Sequence, residues 1–294
     1  MAKCLLTGHR GYIGSYLYTK LKELGHDVQG IDLVEGHDIL QDLKEYNEPM
    51  RGKFHPHYYN FKPEYIFHLA CIPRVAYSVE NPVETMRNNV LATTHVLNFA
   101  RKVGAKRVIY SGSSSVVGNG HGPSSPYGLQ KLISEMECKL YSDLYDLDTV
   151  SLRYFNVYSP DQQAEGPYAT AVSNFMQHIR DRKNPFITGD GNQRRDMAHV
   201  EDVALANIFA MEYEGAFNGR FFNVGTGENI SLNEIKDIVL KYFPEVQFDY
   251  IEERKGDVLR TKADMSSFKE LGWAPRKQIL EGINECFEEL RNEV

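Results

Sequence analysis

The chain is poor in cysteine and in long apolar runs, and it carries no tract of basic residues. Its four cysteines, Cys4, Cys71, Cys138 and Cys286, are scattered over 294 residues and form no CxxC pair. That spacing speaks against a disulfide framework and a thiolate zinc site, and for a reducing compartment. No run of about 18 apolar residues occurs. The first residues read as a strand, not a signal segment, so the expected location is the cytoplasm. A formal net charge of -7, from 33 Lys and Arg against 40 Asp and Glu, leaves no electrostatic footprint for nucleic acid. It would also repel an anionic substrate at long range, so any phosphate site must be built from a few local arginines. Internal repeats and low-complexity segments are missing as well. What remains is the composition of a globular protein with a sizeable core, 42% hydrophobic and 25% charged.

Short apolar strands alternate with amphipathic helices. Strands are expected at Lys3–Thr7, Val28–Asp32, Tyr65–Leu69, Arg107–Tyr110 and Val150–Tyr154. Helices are expected at Gly11–Leu24, near Pro82–Lys102 and at Tyr127–Tyr145. This alternation predicts an α/β fold of the Rossmann type, a doubly wound parallel sheet with right-handed crossovers. From about Ser159 the rhythm loosens. Helices near Ala169–Arg182, Val200–Glu212, Ser231–Tyr242 and Gln278–Arg291 are then accompanied by only two strand-like runs, Phe221–Val224 and Val246–Ile251. The expected organisation is a dinucleotide-binding domain over residues 1–158, with later segments near 190–228 packing back on it, and a smaller α/β lobe over 159–294. The piece Pro49–Pro63 reads as a solvated surface loop. Its His55-Pro-His57 lacks the carboxylate or cysteine company a metal needs, and no metal is expected.

The first chemical signal is Gly8-His-Arg-Gly11-Tyr-Ile-Gly14, between the first strand and the first helix. Glycines there permit a tight turn, close approach to a pyrophosphate and close helix–strand packing, and the helix start offers N–H donors and a positive dipole end. Asp32 closes the next strand, where a carboxylate accepts hydrogen bonds from the ribose hydroxyls and repels a 2′-phosphate. Leu33 beside it offers no compensating arginine, so NAD is preferred over NADP.

The second signal is Tyr127-Gly-Leu-Gln-Lys131. Positions four apart share one helix face, so phenol and ammonium can share a site. A free tyrosine titrates near pH 10 and is a weak base at neutrality, whereas an adjacent cation favours its phenolate. Upstream lies a serine-rich strand end, Ser111-Gly-Ser113-Ser114-Ser115, which could donate a hydrogen bond to a developing alkoxide or ketone.

These pieces, taken in order with His68-Leu69-Ala70, Ser78–Pro82, Asn89-Val90, Leu152–Tyr158, Gly189–Val203, Phe222–Gly227 and Arg254–Asp264, resemble the extended short-chain dehydrogenases/reductases. The resemblance is to their nucleotide-sugar epimerase/dehydratase family and covers nearly the whole chain. It implies an enzyme with NAD held by Gly8, Gly11, Tyr12, Ile13, Gly14, Asp32, Asp38, Ile39, Leu69, Ala70, Asn89, Tyr127, Lys131 and Tyr154. It implies Tyr127 as acid/base, Lys131 as its partner on the nicotinamide ribose, and Ser113 as the catalytic hydroxyl. Ser78, Ser113, Asn156, Arg195, Arg254 and Asp257 would meet a nucleotide sugar, with the division of labour between Arg194 and Arg195 left open. Dehydratases and decarboxylases of the family carry an acid just after the catalytic Ser or Thr; here stand Ser114 and Ser115, as in the 4-epimerases. Thr261, where some members have tyrosine, leaves room for an N-acetyl group. UDP-N-acetylglucosamine/UDP-N-acetylgalactosamine is therefore the first expectation, with the glucose/galactose and glucuronate/galacturonate pairs also open. A 4-ketosugar reductase, a dehydratase or decarboxylase, and a non-catalytic NAD sensor are the rival readings. Relatives commonly pair through the helices near Pro82–Lys102 and Tyr127–Tyr145, which implies a homodimer. The departures are Val117, the short 119–125 loop, Ser159 with Asp161, and Ser173-Asn174.

Overall fold

The computed structural model describes residues 1–43, 57–73, 75–118, 120–162, 170–253 and 259–294. The chain divides into two compact units, one of residues 1–116, 125–153 and 204–222, the other of residues 117–124, 154–203 and 223–294.

The first unit is built on strands Lys3–Thr7 (β1), Asp27–Ile31 (β2), Tyr65–His68 (β3), Arg107–Ser113 (β4), Asp148–Tyr154 (β5) and Arg220–Val224 (β6). Their order is β6-β5-β4-β3-β1-β2. The pairs β1·β2, β1·β3 and β3·β4 are parallel. Cys4, Leu5, Leu6, Ile66, Phe67, Val108 and Ile109 are fully buried, as strands covered on both faces require. The register aligns Thr7 with Ile31 and His68, and His68 with Tyr110. Every residue that follows these four, Gly8, Asp32, Leu69 and Ser111, therefore leaves the same carboxyl edge. Between β1 and β3 the strand order reverses, and open α/β sheets bind ligands at the carboxyl edge of such a switch point.

Helix Tyr12–Glu23 follows β1, and helix Pro126–Tyr145 precedes β5. The stretch expected as one helix near Pro82–Lys102 has three parts, Pro82–Met86, a π turn at Arg87–Leu91, and Ala92–Val103. Single π turns concentrate at functional positions, and Asn89 lies inside this one. β4 runs three residues past its expected end at Tyr110, to Ser113.

Arg107, at the start of β4, holds the far edge of this unit together. Its guanidinium donates to Asp148 Oδ2 (2.5 Å), to the carbonyls of Ala210 (2.5 Å) and Tyr213 (2.9 Å), and to Gly215 O (2.6 Å). Asp148 Oδ1 in turn accepts the N–H groups of Phe217 (2.8 Å) and Asn218 (2.9 Å). The last carbonyls of helix Val200–Glu212 and the turn after it are thus satisfied by one side chain.

Pro49–Pro63 departs from the expected surface loop. Residues 49–56, including His55, lie outside the described residues, but His57–Phe61 forms a helix. It buries Tyr58, Tyr59 and Phe61, with the Tyr59 ring edge-on to Phe99 at 4.7 Å. Three aromatics in five residues carry more apolar area than a solvated loop accommodates, and that area fills the face of the sheet.

In the second unit, helices Ala171–Arg180, Leu232–Tyr242 and Ile279–Glu293 pack around Tyr158, Phe175, Ile187, Ile235, Ile283 and Phe287. Ser231 and Glu234 close a reciprocal capping box at the start of Leu232–Tyr242. Short strands pair Phe186–Thr188 with Asp249–Ile251, Val157–Tyr158 with Ala198–His199, and Arg194–Arg195 with Ile230–Ser231. The run expected at Val246–Ile251 is a strand only from Asp249.

Candidate active site

At the carboxyl edge of β1 the glycine turn is as tight as its sequence requires. A side chain at Gly14 would meet Gly8 O at 2.0 Å, and one at Gly8, whose φ is +74°, would meet Ala70 N at 2.7 Å. Gly11 is the N-cap of helix Tyr12–Glu23 and brings no side-chain cap, and the first turn, with Tyr12 and Ile13, contains no acid. A dinucleotide pyrophosphate suits such a start: the dipole end is positive and no carboxylate competes for it. Asp32 follows β2 directly, with its carboxylate accepting the N–H groups of Arg10 (2.9 Å) and Val34 (3.1 Å). Each oxygen keeps a lone pair for a ribose hydroxyl. These residues fit a bound NAD.

Arg10 was not singled out from sequence. Its backbone is tied to Asp32, and its Nε donates to Glu35 (2.6 Å), which also meets His9 Nε2 at 3.1 Å. Hydrogen bonding to Arg10 first, and the His9 charge after it, hold the Glu35 carboxyl below its usual range. Asp38 caps the helix Ile39–Asp42 by accepting from Leu40 N (2.9 Å), and Ile39 is buried.

The buried histidine of β3 ties this edge together. His68 sits between the Thr7 and Thr93 hydroxyls, Nδ1 at 2.7 Å and Nε2 at 3.0 Å. Thr93 Oγ1 gives its proton to Asn89 O (2.7 Å), so it must accept from Nε2–H, and Nδ1 must accept from Thr7. Thr7 Oγ1 then accepts the Ala70 N–H (3.3 Å), while Leu69 N donates to Thr7 O. Every bond in the chain from Ala70 to Asn89 has one direction, and His68 is neutral. Burial first, and the Lys131 charge second, lower its pKa from 6.5 to about 3. Between those values the unfolded chain binds a proton that the folded chain does not, so stability rises with pH there and falls on acidification from about 6.5 toward 3. Denaturant unfolding across that window should show a slope approaching ~1.4 kcal/mol per pH unit from this site. In His68→Gln that contribution should vanish; an unchanged slope would contradict the assignment.

Asn89 is itself a clamp. Its Oδ1 accepts Ile72 N (2.7 Å), and Nδ2 donates to Ile72 O (3.2 Å) and to Gln130 Oε1 (2.8 Å). It fixes the segment after Ala70 against the helix that carries Tyr127 and Lys131.

That helix, Pro126–Tyr145, begins with all its early donors accounted for. Pro126 has no N–H, Gly128 N donates to the N-cap hydroxyl of Ser125 (3.1 Å), and Leu129 N donates to Ser125 O (3.0 Å). The remaining N–H, that of Tyr127, goes to Ser78 Oγ (3.0 Å). Ser78, expected against substrate, is fully buried and gives its own proton to Val75 O (2.6 Å). It meets the backbone of Tyr127.

Lys131 is 2% exposed, and its Nζ donates to Ser111 O (2.6 Å). Nζ lies 4.9 Å from the centre of the Tyr110 ring and 5.9 Å from that of Tyr127. The extension of β4 past Tyr110 creates this arrangement, because it sets the Ser111 carbonyl where an ammonium can be buried with a partner. Two residues on, Ser113 Oγ is 2.6 Å from Ser115 Oγ and accepts Ser115 N–H (3.2 Å). Tyr127, Lys131 and Ser113 all belong to the first unit.

The sequence model of the NAD dependent epimerase/dehydratase family matches residues 4–225. The chain belongs to that family. UDP-glucose 4-epimerase of Mycolicibacterium smegmatis is 32% identical, with 99% of each chain covered. A UDP-N-acetylglucosamine 4-epimerase from Methanobrevibacter ruminantium, solved with UDP-N-acetylmuramic acid, superposes with a TM-score of 0.86 at 27% identity, covering 100% of this chain and 99% of that one. The UDP-glucose 4-epimerase of Thermus thermophilus, solved with NAD, gives 0.83 at 25% identity, covering 99% and 100%. As a member of this NAD-dependent epimerase/dehydratase family the chain is an enzyme, and NAD is its cofactor.

The second unit carries the other family positions. Tyr154 is buried; Asn156, at φ +24°, donates from Nδ2 to Asp196 O (2.7 Å). Arg194 is committed to Asn229 Oδ1 (2.8 Å) and to Glu234 (2.9 Å), while Arg195 Nη1 meets Arg194 O (3.2 Å). Asp196 was not singled out from sequence, although it lies in the stretch Gly189–Val203 that carries the resemblance. It is fully buried, and its carboxylate takes Thr226 N (2.8 Å), Thr226 Oγ1 (2.9 Å), Gly227 N (3.0 Å) and Ala263 N (2.8 Å). Burial raises its pKa against the pull of these donors. Asp196 N donates to Thr261 Oγ1 (3.0 Å), so the threonine is held by the same hub. Arg254 and Asp257 lie outside the described residues.

Proposed function

We propose that the chain is a 4-epimerase of UDP-hexoses. The observation that carries this reading is the company of the buried Tyr127–Lys131 pair: a run of hydroxyls, Ser113–Ser115, where a family enzyme that eliminates or decarboxylates has a carboxyl group. The names of the related proteins, 4-epimerases of UDP-sugars, point the same way.

In this reading Tyr127 takes the proton of the sugar 4-hydroxyl as the C4 hydrogen leaves. Lys131 stabilises the phenolate, which its charge favours. Ser113 donates a hydrogen bond to the C4 oxygen and stabilises the charge that develops there. NAD, where the Gly8–Gly14 turn and Asp32 fit it, would supply reversible hydride acceptance at C4, and the loosely held 4-keto sugar turns its other face between the two halves of the cycle. Tyr127 then gives the proton back, so the cycle closes without net redox change. Asn156 and Arg195, with Arg254, hold the diphosphate, because guanidinium forks match phosphate oxygens. A nucleotide held firmly and a sugar held loosely permit the turn, whereas uniform tight binding would oppose it.

For the sugar, a threonine at 261 leaves space for an N-acetyl group. UDP-N-acetylglucosamine/UDP-N-acetylgalactosamine is the first substrate pair, ahead of the glucose/galactose and glucuronate/galacturonate pairs. The working form is a homodimer. Leu129, Met136, Leu140 and Leu144 leave an exposed apolar stripe on helix Pro126–Tyr145, and Val83, Met86 and Leu91 leave another on the 82–103 stretch.

The test is incubation of the purified protein with UDP-, GDP-, CDP- and dTDP-sugars, product NMR, and light scattering on the same preparation. Epimerised UDP-sugar without cofactor consumption, from a particle of twice the chain mass, is expected. Stoichiometric use of reduced cofactor would mean a reductase, and a product of changed mass would mean a dehydratase or decarboxylase.

A further inference from the structure

We infer that Ser115, two residues beyond the catalytic hydroxyl, is a positioning residue that turns Ser113 into a pure hydrogen-bond donor. The inference rests on the epimerase reading above and adds a role that the reading does not require.

A serine hydroxyl has one proton to give and two lone pairs. Ser113 Oγ accepts the backbone N–H of Ser115 at 3.2 Å, which uses one lone pair. Its second short contact is the Ser115 hydroxyl at 2.6 Å, and that bond has two possible polarities. If Ser113 gives its proton to Ser115, it has nothing to donate to a sugar oxygen. If Ser115 gives its proton to Ser113, both lone pairs of Ser113 are filled and its own proton is its only remaining capacity. A developing C4 alkoxide or ketone accepts hydrogen bonds and donates none, so a bound sugar selects the second polarity.

Two consequences follow from that polarity. The O–H of Ser113 is polarised by the hydrogen bond it receives, which strengthens it as a donor to the charged oxygen. Ser113 also has no lone pair left to take the 4-hydroxyl proton, so proton transfer falls to Tyr127 alone. The main chain supports the arrangement: Ser113 is the last residue of β4, and Ser114–Val116 forms a single tight helical turn that brings the Ser115 N–H and hydroxyl back onto Ser113.

Ser115 acts only through Ser113, so the test is a double-variant cycle. With the sugar that the unsubstituted protein turns over, Ser115→Ala should lower kcat about tenfold with KM little changed. Ser115→Thr, which keeps a hydroxyl, should restore it. Ser113→Ala should cost more. The double variant should equal Ser113→Ala, because the second hydroxyl has nothing left to act on. The pH at which kcat rises should stay the same in Ser115→Ala, since Tyr127 and Lys131 are untouched, and thermal unfolding should confirm that each variant folds. Ser115→Ala with unchanged kcat, penalties that multiply in the double variant, or failure of threonine to rescue would each overturn the inference alone. No turnover by the unsubstituted protein on any sugar would overturn the epimerase reading and this inference together.

Discussion

Tyr127→Phe should lower kcat about a thousandfold while leaving the fold and the retention of NAD intact. The change removes one oxygen from a ring that is 9% exposed, so packing barely changes. In the proposed mechanism the lost atom is the group that moves the proton, with a cation beside it, Lys131 Nζ lying 5.9 Å from the ring centre. General acid–base catalysis contributes roughly 10²–10⁴ in rate, and here one residue does both halves of the cycle. Lys131→Met should fall nearly as far, because it removes the charge that favours the phenolate and leaves the Ser111 carbonyl without its donor. Single-turnover product formation checks both variants, with cofactor absorbance as the control for binding. Activity of Tyr127→Phe within tenfold of the original would refute the mechanism.

The second large effect is on stability and lies on the opposite edge of the same sheet. Arg107→Met should destabilise the chain by about 3–5 kcal/mol, the range for breaking a buried ion pair from one side. Asp148 would keep a buried carboxylate oxygen without its cation, and the carbonyls of Ala210, Tyr213 and Gly215 would lose their donor together. Lysine should recover only part of the loss, because a single ammonium cannot reach along four directions as a planar fork does. Denaturant unfolding followed by circular dichroism measures it. A loss below about 1 kcal/mol would place Arg107 among ordinary surface ion pairs.

The parts of this protein that are readable from its residues are those whose chemistry is local. The glycine turn occupies seven consecutive positions, Tyr127 and Lys131 are four apart, and the alternation of strand and helix repeats along the chain. Periodicity and spacing carry such features. What is not readable depends on partners far along the chain. The Ser78 hydroxyl meets the Tyr127 N–H across 49 residues, and Arg107 reaches Ala210 across 103. Asp196 collects donors from Thr226, Gly227 and Ala263, none of which announces an acceptor. The π turn around Asn89 is invisible for a different reason, since Arg87–Leu91 spans only five residues, too few for a local change of period to show in an apolar pattern. Arg10 sits inside the glycine turn, 22 residues before Asp32, and no spacing reveals that the turn returns it to that carboxylate. The segment 57–61 departs from expectation because proline and histidine suggest a loop, whereas three aromatic side chains decide its burial.

The two helix starts at this edge differ in a way that reaches into the protein's lifetime. One is sealed by the chain's own serines. The other, begun by Gly11, is complemented best by an anion from outside the polypeptide. A ligand that binds only the folded state adds stability that grows with the logarithm of its concentration over its dissociation constant. With NAD bound at that start, coenzyme supply would set the durability of the first unit as well as its chemistry, and protein made in a cell short of dinucleotide would be the form that proteases reach first.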